Sequence, residues 1–389
     1  MKNRLANLGI LAMFALAAAL RYAGIPFLSI DMARDYISWY HLLSDGGYKA
    51  LALPVFSYTP PYLYLLYLAT FTRSFLSDIA AIKLISIFFD GCNAFLVYKI
   101  VRIKYPTGKL PILASAVFAL APTVILNGAY WGQVDSFYTC FLLACFYYIL
   151  KEKPLPAMVF FAIAFAVKPQ AAFLGPFLVL MFLKKRIHWS HFGLIPVVYA
   201  VLFLPVILLG KPAFGALTLY GSEVGSFTQA SMNAPNLYVF IRPGGYSLAA
   251  PLGLTIAAIL VLAWLFIYWR RNFKLTPALL VYLALVSVAW VPFILPRMHD
   301  RYFYPADVFS ILLAFFTPEL WFVPVGYQGI SVLVYSINLL HLGLMPNLAI
   351  ATALNTWMVV ILILKQNQLC KNEPVLLQEK ETVANGVSQ

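Results

Sequence analysis

Residues 6–40 read ANLGILAMFALAAALRYAGIPFLSIDMARDYISWY, and this stretch decides both the fold and where chemistry is sought. Its first part, to about residue 23, is apolar almost throughout. It is long enough to cross a bilayer core, which takes roughly 20 helical residues. Its second part begins where that crossing would reach water. There Asp31 and Asp35 stand four apart, on one face if the piece is helical. The chain has only 14 Asp plus Glu in 389 residues, so two acids beside a membrane exit call for an explanation. The start has the look of a signal peptide, but Leu20, Arg21 and Tyr22 follow the Ala17–Ala19 run. It reads as a retained first crossing with its N-terminus inside.

Working outward, the rest of the chain agrees. It is 62% hydrophobic and 11% charged, which excludes a water-soluble domain of this length. The net charge of +13 reflects Lys and Arg gathered in short loops, the positive-inside pattern, and not nucleic-acid binding. The four cysteines are scattered, with neither metal nor disulfide spacing, and read as packing residues. Basic clusters at residues 2–4, 99–109, 151–153, 184–186, 270–274 and 365–371 go inside, so the segments between them cross in pairs.

Between residues 24 and 99 one return is required. Residues 60–72 are too short for it and 79–98 are not, so 60–75 becomes an outer helix opened by Pro60-Pro61. A further amphipathic piece, 32–45, ends at Gly46-Gly47. The remaining crossings are 110–127, 135–150, 155–167, 171–183, 190–209, 248–269, 276–295, 304–317, 320–341 and 347–364. The expectation is an all-α polytopic transmembrane bundle of about 12 crossings with both ends inside. It forms one domain over residues 1–365, with a first outer loop at 24–78 and a polar cytoplasmic tail at 366–389.

Chemistry-capable residues collect on the outer side. Loop one has Asp31, Arg34, Asp35, Tyr58 and Tyr62. The next has Asn127, Trp131, Gln133 and Asp135, and the third has Lys168 and Gln170. The 210–247 stretch has Tyr220, Glu223, Gln229, Asn233 and Asn236, and the fifth loop has Arg297, His299, Asp300 and Arg301. Few ionisable groups fall mid-segment, Asp90 being one, which weighs against an ion-coupled transporter. A site at one face suits an enzyme working on a lipid-linked substrate at the water boundary. For a sugar on a lipid phosphate it needs a carboxylate base, for which Asp31 is placed. It needs cations to hold the departing phosphate, here Arg297, His299, Arg301, Lys168 and Lys83. It also needs polar and aromatic groups for sugar and acceptor, here Trp131, Gln133, Tyr58, Asp135, Asp35 and Gln170. Neither GxSxG nor HExxH occurs.

The order of these motifs resembles the GT-C superfamily of polyprenyl-phosphate-sugar-dependent membrane glycosyltransferases, and within it the bacterial GPI-mannosyltransferase-like proteins. The resemblance lies in Asp31, Trp39-Tyr40, Gly46-Gly47, Tyr58-Thr59-Pro60-Pro61-Tyr62, Asn127-Gly128, Trp131-Gly132-Gln133-Val134-Asp135, Lys168-Pro169-Gln170 and Met298-His299-Asp300-Arg301-Tyr302. Asp300 stands where that superfamily usually has Glu. The resemblance implies a GT-C fold with Asp31 as base. It implies inverting transfer of a hexose, mannose above all, from a polyprenyl-phosphate carrier to a lipid or glycan acceptor. The implied setting is the extracytoplasmic side of the plasma (inner) membrane, with no cofactor and no metal site assigned. The alternative is a lipid-linked-sugar flippase without transferase activity. The last two crossings carry no motif.

Overall fold

The computed structural model describes residues 2–219, 229–241 and 246–372. Tyr220 and Glu223, and the tail from residue 373, lie outside the described residues. Each apolar segment expected from the sequence is helical. Among the described residues, seven helices are long and apolar enough to cross a membrane. The count becomes eight if Leu110–Leu120 and Pro122–Trp131, bent by 52°, form one span. The shorter apolar helices Asp135–Leu150, Pro154–Val167, Pro169–Leu183 and Tyr304–Phe316 occupy the other expected places. The expected number of crossings is thus reached only by counting pieces too short to span alone.

The outer pieces of the first loop form as the sequence dictates. A π-helical turn, Met32–Tyr36, runs into α-helix Ile37–Gly46, which stops at Gly47 with φ 60°. Pro60 and Pro61 open helix Pro60–Thr70, where a missing N–H costs nothing. The Thr59 hydroxyl ties its start to the Val167 carbonyl at 2.7 Å. Ser77 caps the long helix Asp78–Lys104 by accepting from the Ala80 amide. The tail expectation is corrected at its start. The last helix, Leu344–Asn372, continues past residue 365, because Gln366 is buried and accepts from the Trp264 indole at 3.3 Å.

Helix Pro277–Ile294 is buried almost throughout and forms the centre of the bundle, whereas Lys2–Gly24 and Trp189–Leu208 are peripheral. Asp90, the mid-segment acid, is spent inside the bundle. Its Oδ2 pairs with Arg21 at 3.1 Å, and Arg21 also donates to the Ala119 carbonyl at 2.7 Å. That contact joins the first crossing to the helices behind it, and the charge is compensated where it would otherwise be costly.

Candidate active site

Ser29 sets the first loop. Its Oγ accepts from the Met32 amide at 3.2 Å and donates to the Trp131 carbonyl at 2.7 Å. The turn it starts is π-helical, as is Leu126–Trp131 opposite, a geometry that recurs at functional sites. Between them stands Asp31. Its Oδ2 accepts from Trp131 Nε1 at 3.0 Å and from Gln133 Nε2 at 2.6 Å. Gln133 is held in turn, its Oε1 accepting from Tyr36 at 3.0 Å and Tyr58 at 3.3 Å. One carboxylate oxygen is therefore saturated. The other, Oδ1, lies 3.7 Å from Arg34 Nη2, on a side chain that is a quarter exposed. Gly132 makes this approach possible. It sits at φ 78°, and a Cβ there would run into Met32 Cε.

Facing Asp31 is a cationic wall. Lys168 leaves helix Pro154–Val167 at an extended residue before Pro169, and its Nζ meets Asp135 Oδ1 at 2.5 Å. Asp135 Oδ2 accepts from Asn127 at 3.0 Å. Arg301 lies among three carboxylates, 3.9 Å from Asp31 Oδ2, 3.7 Å from Asp135 Oδ2 and 3.6 Å from Asp300 Oδ1. Its plane also covers Trp131, with Cζ 5.6 Å from the ring. A parallel pairing of Ser231–Met232 with Met298–His299 fixes the loop that carries it. The Arg297 and Asp300 amides donate to Ala230 and Met232 in support.

Asp31, Asp35, Tyr58, Trp131, Lys168, Gln170, His299 and Arg301 line one cavity of about 600 Å³. All the expected outer loops contribute, so residues hundreds of positions apart meet at one end of the bundle. Asp35 is tied to Arg34 at 2.7 Å. Burial, with the Arg301 and Lys168 cations adding to it, pushes the His299 imidazole down to about 3. His299 is therefore neutral near pH 7, and the expectation that it serves as a cation is corrected: it lines the cavity as a neutral hydrogen-bonding group. Burial pushes Asp300 up to about 6, against the pull of Arg301.

Four further expectations change. Lys83 is wholly buried and does not line the cavity. Its ammonium donates to the Gly24, Phe27 and Tyr130 carbonyls at 2.9, 2.6 and 2.9 Å, so it locks the first loop onto the second. Asp135, expected to meet sugar or acceptor, has no exposed surface and is filled by Lys168 and Asn127; it anchors a cation. Arg297 is absent from the cavity wall and takes a left-handed φ of 63°. Gln133 also stands behind the wall, reaching the cavity through Asp31.

Sequence reading missed Asn338 and Tyr335. Asn338 lines the cavity and donates to Asp300 Oδ2, while Tyr335 packs edge-on against Trp131 at 5.2 Å. Both lie in a segment without a motif. The only available signal was an Asn near the outer end of a crossing. Tyr36 and Trp39 add an aromatic wall beside Tyr58.

The family model described as "PIG-U: GPI transamidase subunit PIG-U" matches residues 40–241, just over half of the chain. It takes in Tyr58, Trp131, Gln133, Asp135, Lys168 and Gln170, and leaves Asp31 and the 297–301 loop outside. No curated protein matches the chain.

Proposed function

Because the chain belongs to the PIG-U family, a family of membrane proteins described as transamidase subunits and not as sugar transferases, we propose its chemistry from the cavity itself: transfer of one hexose, mannose above all, from a polyprenyl-phosphate carrier to a lipid or glycan hydroxyl. The observation that carries this reading is the 3.9 Å separation of Asp31 and Arg301 inside one cavity. A carboxylate with one oxygen unoccupied by strong donors stands next to a buried guanidinium. That suits a proton acceptor beside a leaving phosphate.

In this mechanism Asp31 Oδ1 takes the proton of the acceptor hydroxyl. The hydroxyl oxygen attacks the anomeric carbon on the face opposite the phosphate, and the carbon–oxygen bond to phosphate breaks. The electron pair leaves with the lipid phosphate, which is stabilised by Arg301 and Lys168 as charges and by neutral His299 as a hydrogen-bonding group. A β-linked donor gives an α-linked product. Trp131 and Gln133 serve as donors that aim Asp31, and Tyr58, Trp39 and Gln170 bound the sugar. This reading puts the cavity mouth on the extracytoplasmic side of the plasma membrane, and the gathering of Lys and Arg in the other set of loops supports that side.

The family description favours a second reading, in which the chain is the lipid-glycan-binding subunit of a larger membrane enzyme and Asp31 only binds. One experiment separates the two. Purified protein is incubated with radiolabelled polyprenyl-phosphate mannose or glucose and a membrane lipid extract. Labelled acceptor that is absent with Asp31→Asn supports transfer. Donor binding without any labelled product from the wild type supports the subunit reading.

A further inference from the structure

We infer that Asn338, near the end of helix Phe322–Leu339, is a positioning residue that acts through Asp300 to set where the Arg301 guanidinium stands in the cavity.

Arg301 is placed without being fastened. It approaches three carboxylates at 3.6 to 3.9 Å and its Nε makes no hydrogen bond among the described residues. A guanidinium usually resolves such a position by closing onto one carboxylate in a bidentate pair. Here the three pulls oppose one another. Asp135 is already filled by Lys168 and Asn127, and Oδ2 of Asp31, the oxygen nearest Arg301, by Trp131 and Gln133. Asp300 is the third pull, and its direction depends on Asn338. One oxygen of Asp300 accepts from the Asn338 amide, while the other accepts from the Arg301 backbone amide at 2.9 Å and faces the Arg301 side chain.

Take Asn338 away and Oδ2 of a buried carboxylate loses its donor. The group turns to find another, and burial already favours its protonated form. Arg301 then settles towards Asp31, whose Oδ1 takes no strong donor, and its donors are no longer presented to the cavity. The charged groups facing Asp300 are Arg301 on its own loop, Asp31 on the first loop and Asp135 on the opposite helix. The same helix end braces the far side of the site, since Tyr335 packs edge-on against Trp131, which donates to Asp31. The last turn of Phe322–Leu339 thus fixes both the base and the cation, although the matched segment ends well before it.

This inference rests on Arg301 meeting the lipid phosphate. The test is titration calorimetry of sugar-free undecaprenyl phosphate into the purified full-length protein in detergent, at pH 7.5. It compares the wild type with Asn338→Leu, Asn338→Ala and Asn338→Gln. The expected result is about tenfold weaker binding for Leu and Ala at unchanged stoichiometry, with Gln, which keeps an amide, within about threefold of wild type. Calorimetric affinity reports only folded molecules, so a fall in stoichiometry at unchanged affinity marks a merely structural role and overturns the inference. Unchanged or tighter binding by Leu and Ala, as loss of negative charge alone would give, also overturns it, and so does a Gln variant as weak as Leu. If Leu does not fold, Ala decides. A wild type that does not bind the probe sinks the functional reading, and this inference with it.

Discussion

Replacing Asp31 by Asn is the sharpest perturbation available, because the surroundings tell what survives. The Asn oxygen can take the place of Oδ2 and keep both donors, Trp131 Nε1 at 3.0 Å and Gln133 Nε2 at 2.6 Å. Its amide nitrogen then occupies the Oδ1 position, where a proton acceptor is replaced by a donor. Loss of a positioned general base slows transfer by about 10²–10⁴-fold, on the order of 3–5 kcal/mol in the barrier. Phosphate affinity moves the other way. At 3.9 Å from Arg301, the Asp31 charge competes with a bound anion through an attraction of about 4 kcal/mol at an effective dielectric of 20, before the partial exposure of Asp31 weakens it. Asp31→Asn should therefore bind undecaprenyl phosphate as well as wild type or a few-fold more tightly, with kcat collapsed. Transfer is followed with radiolabelled donor and binding by calorimetry on the same preparation. Turnover near wild type refutes Asp31 as the base. Weakened phosphate binding refutes the claim that Asp31 and the anion share Arg301.

Lys168→Met takes from buried Asp135 its closest cation, leaving only Arg301 at 3.7 Å, and should cost up to about 3–5 kcal/mol, read as a lower melting temperature in detergent. Lys168→Met combined with Asp135→Leu should regain much of that stability and none of the transfer activity. Gly132→Ala forces a side chain into a left-handed residue and against Met32, so transfer and thermal stability should fall together, by about 1–3 kcal/mol in stability. The pH dependence of stability should show two opposed slopes. His299, lowered to about 3, binds fewer protons folded than unfolded, so its contribution is lost as pH falls from about 6.5 towards 3. Asp300, raised to about 6, binds more protons folded, so its contribution is lost as pH rises from about 4 to 6. Melting curves between pH 4 and 6 should therefore be nearly flat for wild type, rise towards acid for His299→Gln, and fall towards acid for Asp300→Asn. Parallel curves for all three proteins would rule out this assignment.

What the sequence disclosed was what hydrophobicity and charge bias encode directly. Helix boundaries followed from apolar length and from Pro60-Pro61 as a start. Which loops share an end followed from where Lys and Arg cluster. Lys83 shows where this stops. A lysine near the outer end of a crossing looks the same in sequence whether it faces a ligand or is consumed by backbone carbonyls. Three carbonyls left over by the first and second loops decided it. Asp135 misled for a related reason. It opens a helix at the water boundary, and only Lys168, at a break between helices, and Asn127, in the π-helical turn Leu126–Trp131, close it off. Asn338 was illegible because its partner, Asp300, is 38 positions away and neither residue is unusual alone.

The corrected roles make the site more coherent than the sequence reading had it. Had Lys83, Arg297, His299, Lys168 and Arg301 all faced the cavity as cations, the empty protein would hold a concentration of like charge beside the bilayer. Such a site repels itself unless anions always fill it. In the structure Lys83 is withdrawn, His299 is neutral, Lys168 is matched by Asp135, and Arg301 is shared among carboxylates. The side-chain charges at the cavity are thus close to balanced, with one guanidinium loosely held. A phosphate entering it need displace only that loose pairing. In doing so it would draw the positive charge off Asp31, the carboxylate that accepts a proton in the proposed mechanism.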